Sequence, residues 1–339
     1  MSSPTPRTVL RDPNGLRPNT LAIGYTLLGY VLGVALLFAS SAWLNAAGIL
    51  LAAHAMVISA YLIHEFAHRS IFTSNALNRA GGRLMTWING SCYADFDALA
   101  LKHLRHHADR ADVITFDYRA FLRERPRLRR TVQILEWLYI PAVDILMHVF
   151  VIALPFRSPQ HREQSRRVGR ILAVRIVLFV LMTLVSLKAL LLYLLAWLLC
   201  LTVLRFMDAF QHTYQVYPIL AQERAPDSDT RDKVYEQRNT YSNVLSLRYP
   251  WLNLLTLNFA YHNAHHDRPM VPWYRLPQLH AELYGDNYAQ IIPARALLGG
   301  FHRNRVRRIM DEDYGAVDTQ SGAVDGFVGA VGVSFLTAV

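Results

Sequence analysis

Long apolar runs restrict the fold of this chain more than any other feature. Residues 21–39 form an uncharged run, and a second apolar run, 43–63, follows a short Ser-Ser-Ala link. A helix of about 20 apolar residues is long enough to cross a bilayer. Residues 168–207 are apolar over about twice that length, with Lys188 near their middle. The sequence therefore predicts an all-α membrane protein with four transmembrane helices in two hairpins, at about 21–39, 43–63, 168–187 and 189–207.

The composition agrees with a membrane protein. Of the 339 residues, 53% are hydrophobic and 18% are charged, which is too apolar for an ordinary soluble domain. A net charge of +10 can indicate nucleic-acid binding, but here the basic residues flank apolar runs, as they do on a cytoplasmic membrane face. Cys92 and Cys200 lie far apart and form no motif, so neither a disulfide framework nor a thiolate metal site is expected. We expect a multi-pass integral membrane protein, with both termini on the cytoplasmic side, membrane lipids around it and no nucleic-acid partner.

The remaining segments divide the chain into a central domain and two tails. Residues 134–154 are apolar but carry charges and lie between two basic segments, so a single crossing would put one of these on the wrong side. We predict an interfacial or re-entrant helix pair bent near Pro141. Residues 252–260 are too short to span and are predicted to form an interfacial helix. The predicted divisions are a flexible N-terminal tail (1–20), a membrane domain (21–313) and a low-complexity, disordered or loosely docked C-terminal tail (314–339).

Three histidine clusters are the strongest indication of a metal site in the sequence. They read HxxxH at residues 64–68, HxxHH at 103–107 and HxxHH at 262–266, and together contain eight of the fourteen histidines. Histidines three or four apart share one face of a helix, whereas the third histidine of HxxHH lies about 100° from the second, so one cluster can serve two ions. Eight imidazoles exceed the roughly four ligands of one zinc ion. We therefore predict a dimetal site with these ligands: His64, His68, His103, His106, His107, His262, His265 and His266.

A further pair follows the fourth apolar run. Asp208 and His212 are four residues apart and share a face if the helix continues beyond the membrane. They are an additional ligand with its hydrogen-bonding partner, two ligands, or a polar helix end in water. Because both predicted hairpins have very short outer turns, this pair and all three clusters fall on the cytoplasmic side, as a shared metal site requires.

The three clusters in this order resemble the histidine boxes of the membrane fatty acid desaturase/hydroxylase superfamily. The resemblance covers roughly residues 21–283 and includes the late HNxHH box and the Pro-Trp-Tyr-Arg-Leu-Pro loop at 272–277. It implies a mushroom-shaped, four-span protein with a di-iron centre in a cytosolic helical cap, and with the eight box histidines as iron ligands. It adds His212 as a ligand, because acyl-CoA members have a histidine there, four residues after an asparagine. Asp208 occupies the asparagine position, which leaves open whether Asp208 holds a water molecule or binds iron.

The resemblance also implies cofactors and partners. These are two iron ions that cycle between Fe²⁺ and Fe³⁺, O₂ as co-substrate, and a lipid or acyl substrate. The sequence shows no His-Pro-Gly-Gly signature of a cytochrome b5 domain, so electrons are expected from a separate ferredoxin-like or cytochrome b5-like donor with its reductase. The arginine-rich cap suits an acidic donor. Glu65 and Asp208 are candidates for orienting imidazoles, although Glu65 faces about 100° away from His64.

The predicted reaction is O₂-dependent desaturation of an aliphatic lipid chain. The first box is one residue shorter than in acyl-CoA desaturases, which indicates relatives that act on acyl lipids, sphingolipids or carotenoids. Hydroxylation and carotenoid ketolation remain open, because the position of the substrate, rather than the ligand set, selects the product. A membrane metal transporter or haem carrier is a more distant alternative. Such proteins place their ligands within the spans, where His54 is the one deeply placed histidine.

Overall fold

The computed structural model describes residues 9–214, 216–218, 230–285, 288–317, 324, 326–334 and 336–338. Within these residues the chain is mostly helical. Two short parallel strands, β1 (Asp112–Ile114) and β2 (Val216–Pro218), pair Asp112 with Val216. The described α-helices are α1 (Leu16–Leu36), α2 (Ala42–Ala67), α3 (Asn75–Asn89), α4 (Phe96–Asp109), α5 (Tyr118–Arg123), α6 (Pro126–Trp137), α7 (Ala142–Arg157), α8 (Ser165–Val185), α9 (Leu187–Ala209), α10 (Lys233–Arg238), α11 (His262–Asp267), α12 (Leu276–Leu283) and α13 (Ala294–Arg303).

Four helical stretches are long and apolar enough to cross a membrane. They are Pro13–Leu36, Ala42–Ala67, Pro159–Val185 and Leu187–Ala209. These stretches, found within the described residues, overlap the four apolar runs of the sequence. The prediction of four helices with the length and composition of membrane spans is confirmed. Helix α1 begins at Leu16, inside the segment predicted to be a flexible tail. Just before it, the carboxylate of Asp12 accepts a hydrogen bond from Tyr274 Oη at 2.8 Å, which ties this end of the chain to a distant loop.

Helix α2 lies at the centre of the molecule, where it packs against α1, α3 and α9. Every residue from Ala55 to Ala67 is buried. Its close approach to α1 depends on a glycine, since a Cβ atom at Gly33 would lie 2.6 Å from the backbone nitrogen of Ala52. This packing fixes the buried end of α2, which carries the first histidine cluster.

The segment predicted to bend near Pro141 forms two helices, α6 and α7. The break lies at residues 138–141, where Tyr139 has a φ of 63° and Pro141 directly precedes α7. Arg205 of α9 contacts the carboxylates of both Glu136 and Asp144. The charges within this apolar segment therefore serve to pair α6 and α7 with α9.

Replacing Arg205 with methionine is expected to destabilise the protein. The side chain of Arg205 is buried, and its removal leaves two buried carboxylates unpaired, which costs about 3–5 kcal/mol. Thermal unfolding in detergent would show a lower Tm for Arg205→Met. The control is Arg170→Met on α8, where the side chain is exposed. Equal Tm values for the two variants would contradict a stabilising role for the buried ion cluster.

Residues 252–260, predicted to form an interfacial helix, are helical in their first part only. They form part of a 3₁₀ helix, Pro250–Thr256, followed by a turn. Leu257 and Asn258 both adopt the left-handed backbone region, with φ values of 49° and 57°, and a helix cannot continue through two such residues. The carboxamide of Asn253 accepts a hydrogen bond from Leu245 N at 2.8 Å, which fixes this turn against the preceding loop.

Several described residues of the segment predicted to be a disordered or loosely docked C-terminal tail are buried. Phe327 and Ala330 are buried in a cluster with Ala209 and Phe210 at the end of α9. Val331 is buried in a second cluster with Tyr118 and other residues of α5–α7. The Gly, Ala and Val composition that suggested disorder instead supplies small residues that fit closely against these helices. Residues 318–323, 325, 335 and 339 lie outside the described part of the chain.

Candidate metal centre

Nine histidines meet in the interior, and they are the nine that the sequence analysis named. Within each of two groups, the nearest ring nitrogen atoms lie within 4.8 Å of one another. The first group contains five histidines: His64, His68, His103, His107 and His265. The second contains four: His106, His212, His262 and His266. Each group can hold one metal ion, and histidines of each HxxHH cluster contribute to both.

Helix geometry suggested that the first and second histidines of an HxxHH cluster face one ion and the third faces the other. The structure divides the histidines differently. The first and third histidines join the same group, as His103 and His107 do, while His106 joins the other. The same division separates His262 and His266 from His265. On a helix, residues four apart differ by about 40° in direction and residues three apart by about 60°. The pair four apart therefore converges better on one ion.

Backbone and side-chain contacts bring the late cluster to the others. Asn263, the asparagine of the HNxHH box, donates hydrogen bonds to Thr240 O at 2.8 Å and to Gln237 Oε1 at 3.1 Å. Thr240 also forms a backbone bridge with His212. Through Gln237 and Thr240, the stretch 237–240 thus joins α11 to the residues that follow α9. This connection explains how His212 reaches the second group of histidines.

The spacing of the Nε2 atoms fits metal coordination. Contacts between these atoms range from 2.7 Å for His68–His103 to 3.4 Å for His106–His266. Two nitrogen ligands at about 2.1 Å from one ion, at right angles, lie about 3 Å apart. A neutral imidazole has one N–H donor, so five converging nitrogen atoms cannot all satisfy one another with hydrogen bonds. The histidines present therefore fit two metal ions, and the group of five exceeds the four ligands of a structural zinc site.

Burial keeps these imidazoles neutral and able to bind a metal. Desolvation, with a smaller repulsion from His106, lowers the pKa of His68 to about 3. Burial is also the first cause, and repulsion between neighbouring histidines the second, of a pKa far below the ordinary value in His103, His107, His212, His262, His265 and His266. Ligands of this kind need not lose a proton to bind a metal at neutral pH.

Glu65 lies directly behind the first group. Its Oε1 atom is 3.3 Å from Nδ1 of His64, although the helical positions of the two residues differ by about 100°. The carboxylate also accepts hydrogen bonds from Ser70 Oγ at 2.6 Å and Trp273 N at 3.2 Å. These contacts fix Glu65, so it can orient the His64 ring. They also connect the site to the Pro-Trp-Tyr-Arg-Leu-Pro loop.

Two other carboxylates near the site were missed by sequence reasoning. Oδ1 of Asp112, in β1, is 3.4 Å from Nδ1 of His106 and 3.6 Å from Nδ1 of His212. Oε1 of Glu236, in α10, is 3.0 Å from Nδ1 of His266. The sequence around Glu236 is charged and loop-like, and its linear pattern does not show that α10 lies beside α11. Only the three-dimensional contact identifies these residues.

Glu236→Gln is expected to weaken metal binding. The carboxylate receives the Nδ1 proton of His266 and is itself held by Arg110 Nε at 3.2 Å. Loss of an outer hydrogen-bonding partner of this kind reduces metal affinity by about 10–100-fold. Dialysis against increasing chelator concentrations, followed by metal analysis, would measure the change. Glu282→Gln, at an exposed carboxylate of α12, should keep the native affinity, and equal affinities would remove Glu236 from the site.

Asp208 borders a small cavity but does not join either histidine group. The cavity has a volume of about 50 Å³, which is enough for water, since one water requires about 10–15 Å³. Its lining includes histidines from both groups and apolar side chains: His103, His106, His212, His262, Val113, Phe259 and Val333, together with Lys102, Asp112, Asp208 and Gln211. Asp208 is thus placed to contact the contents of the cavity.

In the described part of the chain, four helices long and apolar enough to cross a membrane and an interior cluster of nine histidines fit a membrane protein with a polyhistidine metal site. Residues 41–296 match the model of the family described as fatty acid desaturase. The chain belongs to that family, which makes it an oxidoreductase of the desaturase type, and the family generally uses iron. One similar protein is the sphingolipid delta(4)-desaturase of Candida albicans, which is 54% identical over 39 residues. That match spans 11% of this chain and 10% of the relative.

Proposed function

We propose that this protein is an O₂-dependent di-iron desaturase that introduces a carbon–carbon double bond into the aliphatic chain of a lipid. The division of nine interior histidines into adjacent groups of five and four is the observation that carries the proposal. Two iron ions bound there would supply the activation of O₂ and the removal of hydrogen from unactivated methylene groups, which amino-acid side chains cannot achieve.

The protein's own residues bind, orient and shield this centre. The nine imidazoles are the proposed ligands, and burial lowers the pKa of seven of them, which keeps these seven neutral: His68, His103, His107, His212, His262, His265 and His266. Glu65 contacts Nδ1 of His64 and Glu236 contacts Nδ1 of His266, while Nδ1 of His106 is 2.9 Å from Ala111 O. The cavity beside the histidines has Phe259 and Val113 in its wall, and such apolar groups favour an aliphatic segment over a polar one. The arrangement therefore suits a substrate whose reacting part is a hydrocarbon chain.

Contacts between the helix links support a layout of two hairpins. Nζ of Lys188, at the start of α9, donates hydrogen bonds to Ala39 O at 2.6 Å and to Asn45 Oδ1 at 3.0 Å. The α1–α2 link and the α8–α9 link therefore lie together at one end of the four helices. His64 and His212 are at the opposite ends of α2 and α9. We infer that the histidines lie on one side of the membrane and the short links on the other.

The charge distribution supports a cytoplasmic metal site and an acidic electron donor. Arg127 and Arg130, at α6, are exposed in the part of the chain between the second and third spans, and basic residues of short loops mark the cytoplasmic face. We propose that a separate ferredoxin-like or cytochrome b5-like protein, supplied by its reductase, docks against this basic surface. Complementary charge would accelerate that association.

Lipid analysis of a host that expresses the protein with a ferredoxin and its reductase would test the reaction. Mass spectrometry should detect lipids that have lost two hydrogen atoms. A gain of one oxygen atom would instead identify a hydroxylase, and a gain of oxygen with loss of two hydrogen atoms would identify a ketolase. A purified protein without bound iron after expression in iron-replete medium would contradict the di-iron assignment.

A further inference from the structure

A segment near the C-terminus, residues 326–334 and 336–338, reaches the cavity beside the histidines. Val333 of this segment lines that cavity together with His103 of the first group and His106, His212 and His262 of the second. The sequence pattern did not predict that Val333 lies beside the histidines, since the segment is far from every histidine box. Its approach to the site is therefore a property of the fold.

Specific hydrogen bonds hold the segment in place. Ala330 N donates to Ala209 O at 2.8 Å, at the end of α9. Nζ of Lys102, directly before His103 on α4, donates to Ser334 O at 2.7 Å and to Thr337 O at 2.9 Å. Lys102 is 2% exposed, and burial of an ammonium group is costly unless it is hydrogen-bonded. The segment is thus fixed to the helix that carries the second histidine cluster.

Two glycines permit the path of the backbone. Gly329 and Gly332 have φ values of +83° and +77°, in the region that L-residues rarely adopt. A Cβ atom at Gly329 would lie 2.8 Å from Ala209 O, and one at Gly332 would lie 2.6 Å from the ring of Tyr118. The glycines therefore allow the segment to lie directly against α5 and α9, and this contact brings Val333 to the cavity.

The apolar core continues from this segment to the metal centre. Leu336 is buried in the same core as Tyr61 and Phe259. The rings of Tyr61 and Phe259 are 4.9 Å apart, and the ring of Phe259 is 4.7 Å from that of His64. A hydrocarbon chain that reaches the histidines through this region would lie against the segment.

We propose that residues 326–334 and 336–338 form one wall of the substrate chamber, and that Val333 determines which part of the lipid chain is presented to the metal centre. The proposal rests on the proposed function as a lipid desaturase and assigns a specificity role to a segment outside the histidine boxes. Because the cavity is only about 50 Å³ in volume, a change in the size of one bordering side chain alters a large part of the available space.

The test compares Val333→Phe and Val333→Ala with a matched control in the full-length protein. A host containing palmitoyl and stearoyl lipids would express each variant with the electron donor, and mass spectrometry would determine chain length and double-bond position. We expect product ratios to change on the order of 10-fold, as for other changes of a single apolar group in a binding site. Val132→Ala is the control, because Val132 is a buried valine of α6 that lies outside this segment and does not line the cavity. It should retain the native ratio.

Identical product ratios in both Val333 variants and the native protein would overturn the proposal. A chain that ends after Gly326 should lose turnover, whereas a rise in turnover would show that the segment blocks the chamber instead of forming its wall, and would also overturn it. Absence of product from the native protein would count against the proposed function. In that case, binding of the fluorescent fatty acid cis-parinaric acid tests the wall separately: Val333→Phe should weaken binding at least several-fold relative to Val132→Ala, and equal affinities would overturn the proposal.

Discussion

His265→Ala is expected to abolish turnover and to remove iron from the protein. His265 is completely buried, and its Nε2 atom lies 3.0 Å from that of His64 and 3.1 Å from that of His107. Alanine would leave four imidazoles in the first group and an unfilled space where the fifth ring stood. Since the iron proposed there would supply the chemistry itself, losing it should reduce product below detection. Metal analysis of the purified variant should show a lower iron content than in the native protein.

The control for this prediction is His302→Ala. His302 is exposed on α13 and lies in neither histidine group, so the variant should keep the native iron content and turnover. Full activity together with full iron content in His265→Ala would remove His265 from the proposed ligand set. If His265→Ala lost activity but kept its iron, this would also count against His265 as a ligand. His265 would then act beside the reacting chain of the substrate.

Local sequence patterns predicted the elements of this fold and most of its candidate site. Apolar runs determine which segments can form membrane-spanning helices, and histidine spacing determines which side chains share a helix face. The pairing within HxxHH was less well predicted, because it depends on the small angular difference between positions three and four apart. His212 was identified through the resemblance to a known family, since an isolated histidine carries no spacing signal.

Contacts between distant segments could not be predicted from those patterns. Glu236 acquires its place because α10 packs beside α11, and Asp112 because β1 follows directly after α4. The tail containing Asp12 is ordered by Tyr274, and the segment containing Val333 by Lys102 and Ala209. In each case, the partner that fixes the residue is remote in the sequence or lies on another element. Composition alone therefore did not predict these contacts of Asp12 and of the segment that contains Val333.

Asp208→Ala is expected to retain both metal ions and to lose most of the turnover. Asp208 is the residue for which the sequence left two roles open, as a ligand or as a group that holds water. It borders the cavity with His106 and His212 but is absent from both histidine groups. We therefore infer that its carboxylate holds a water molecule in the cavity. Loss of a group that positions a water or moves a proton reduces rates by about 10²–10⁴-fold.

Asp208→Asn provides the comparison that separates the two roles. An asparagine can still hydrogen-bond to a water molecule, so this variant should retain more turnover than Asp208→Ala, with iron content equal in the two. Loss of one iron from Asp208→Ala would make Asp208 a ligand and would reverse the inference. If turnover were unchanged in both variants, Asp208 would be only a polar residue at a helix end. Removing the side chain that holds a catalytic water molecule should lower the turnover rate.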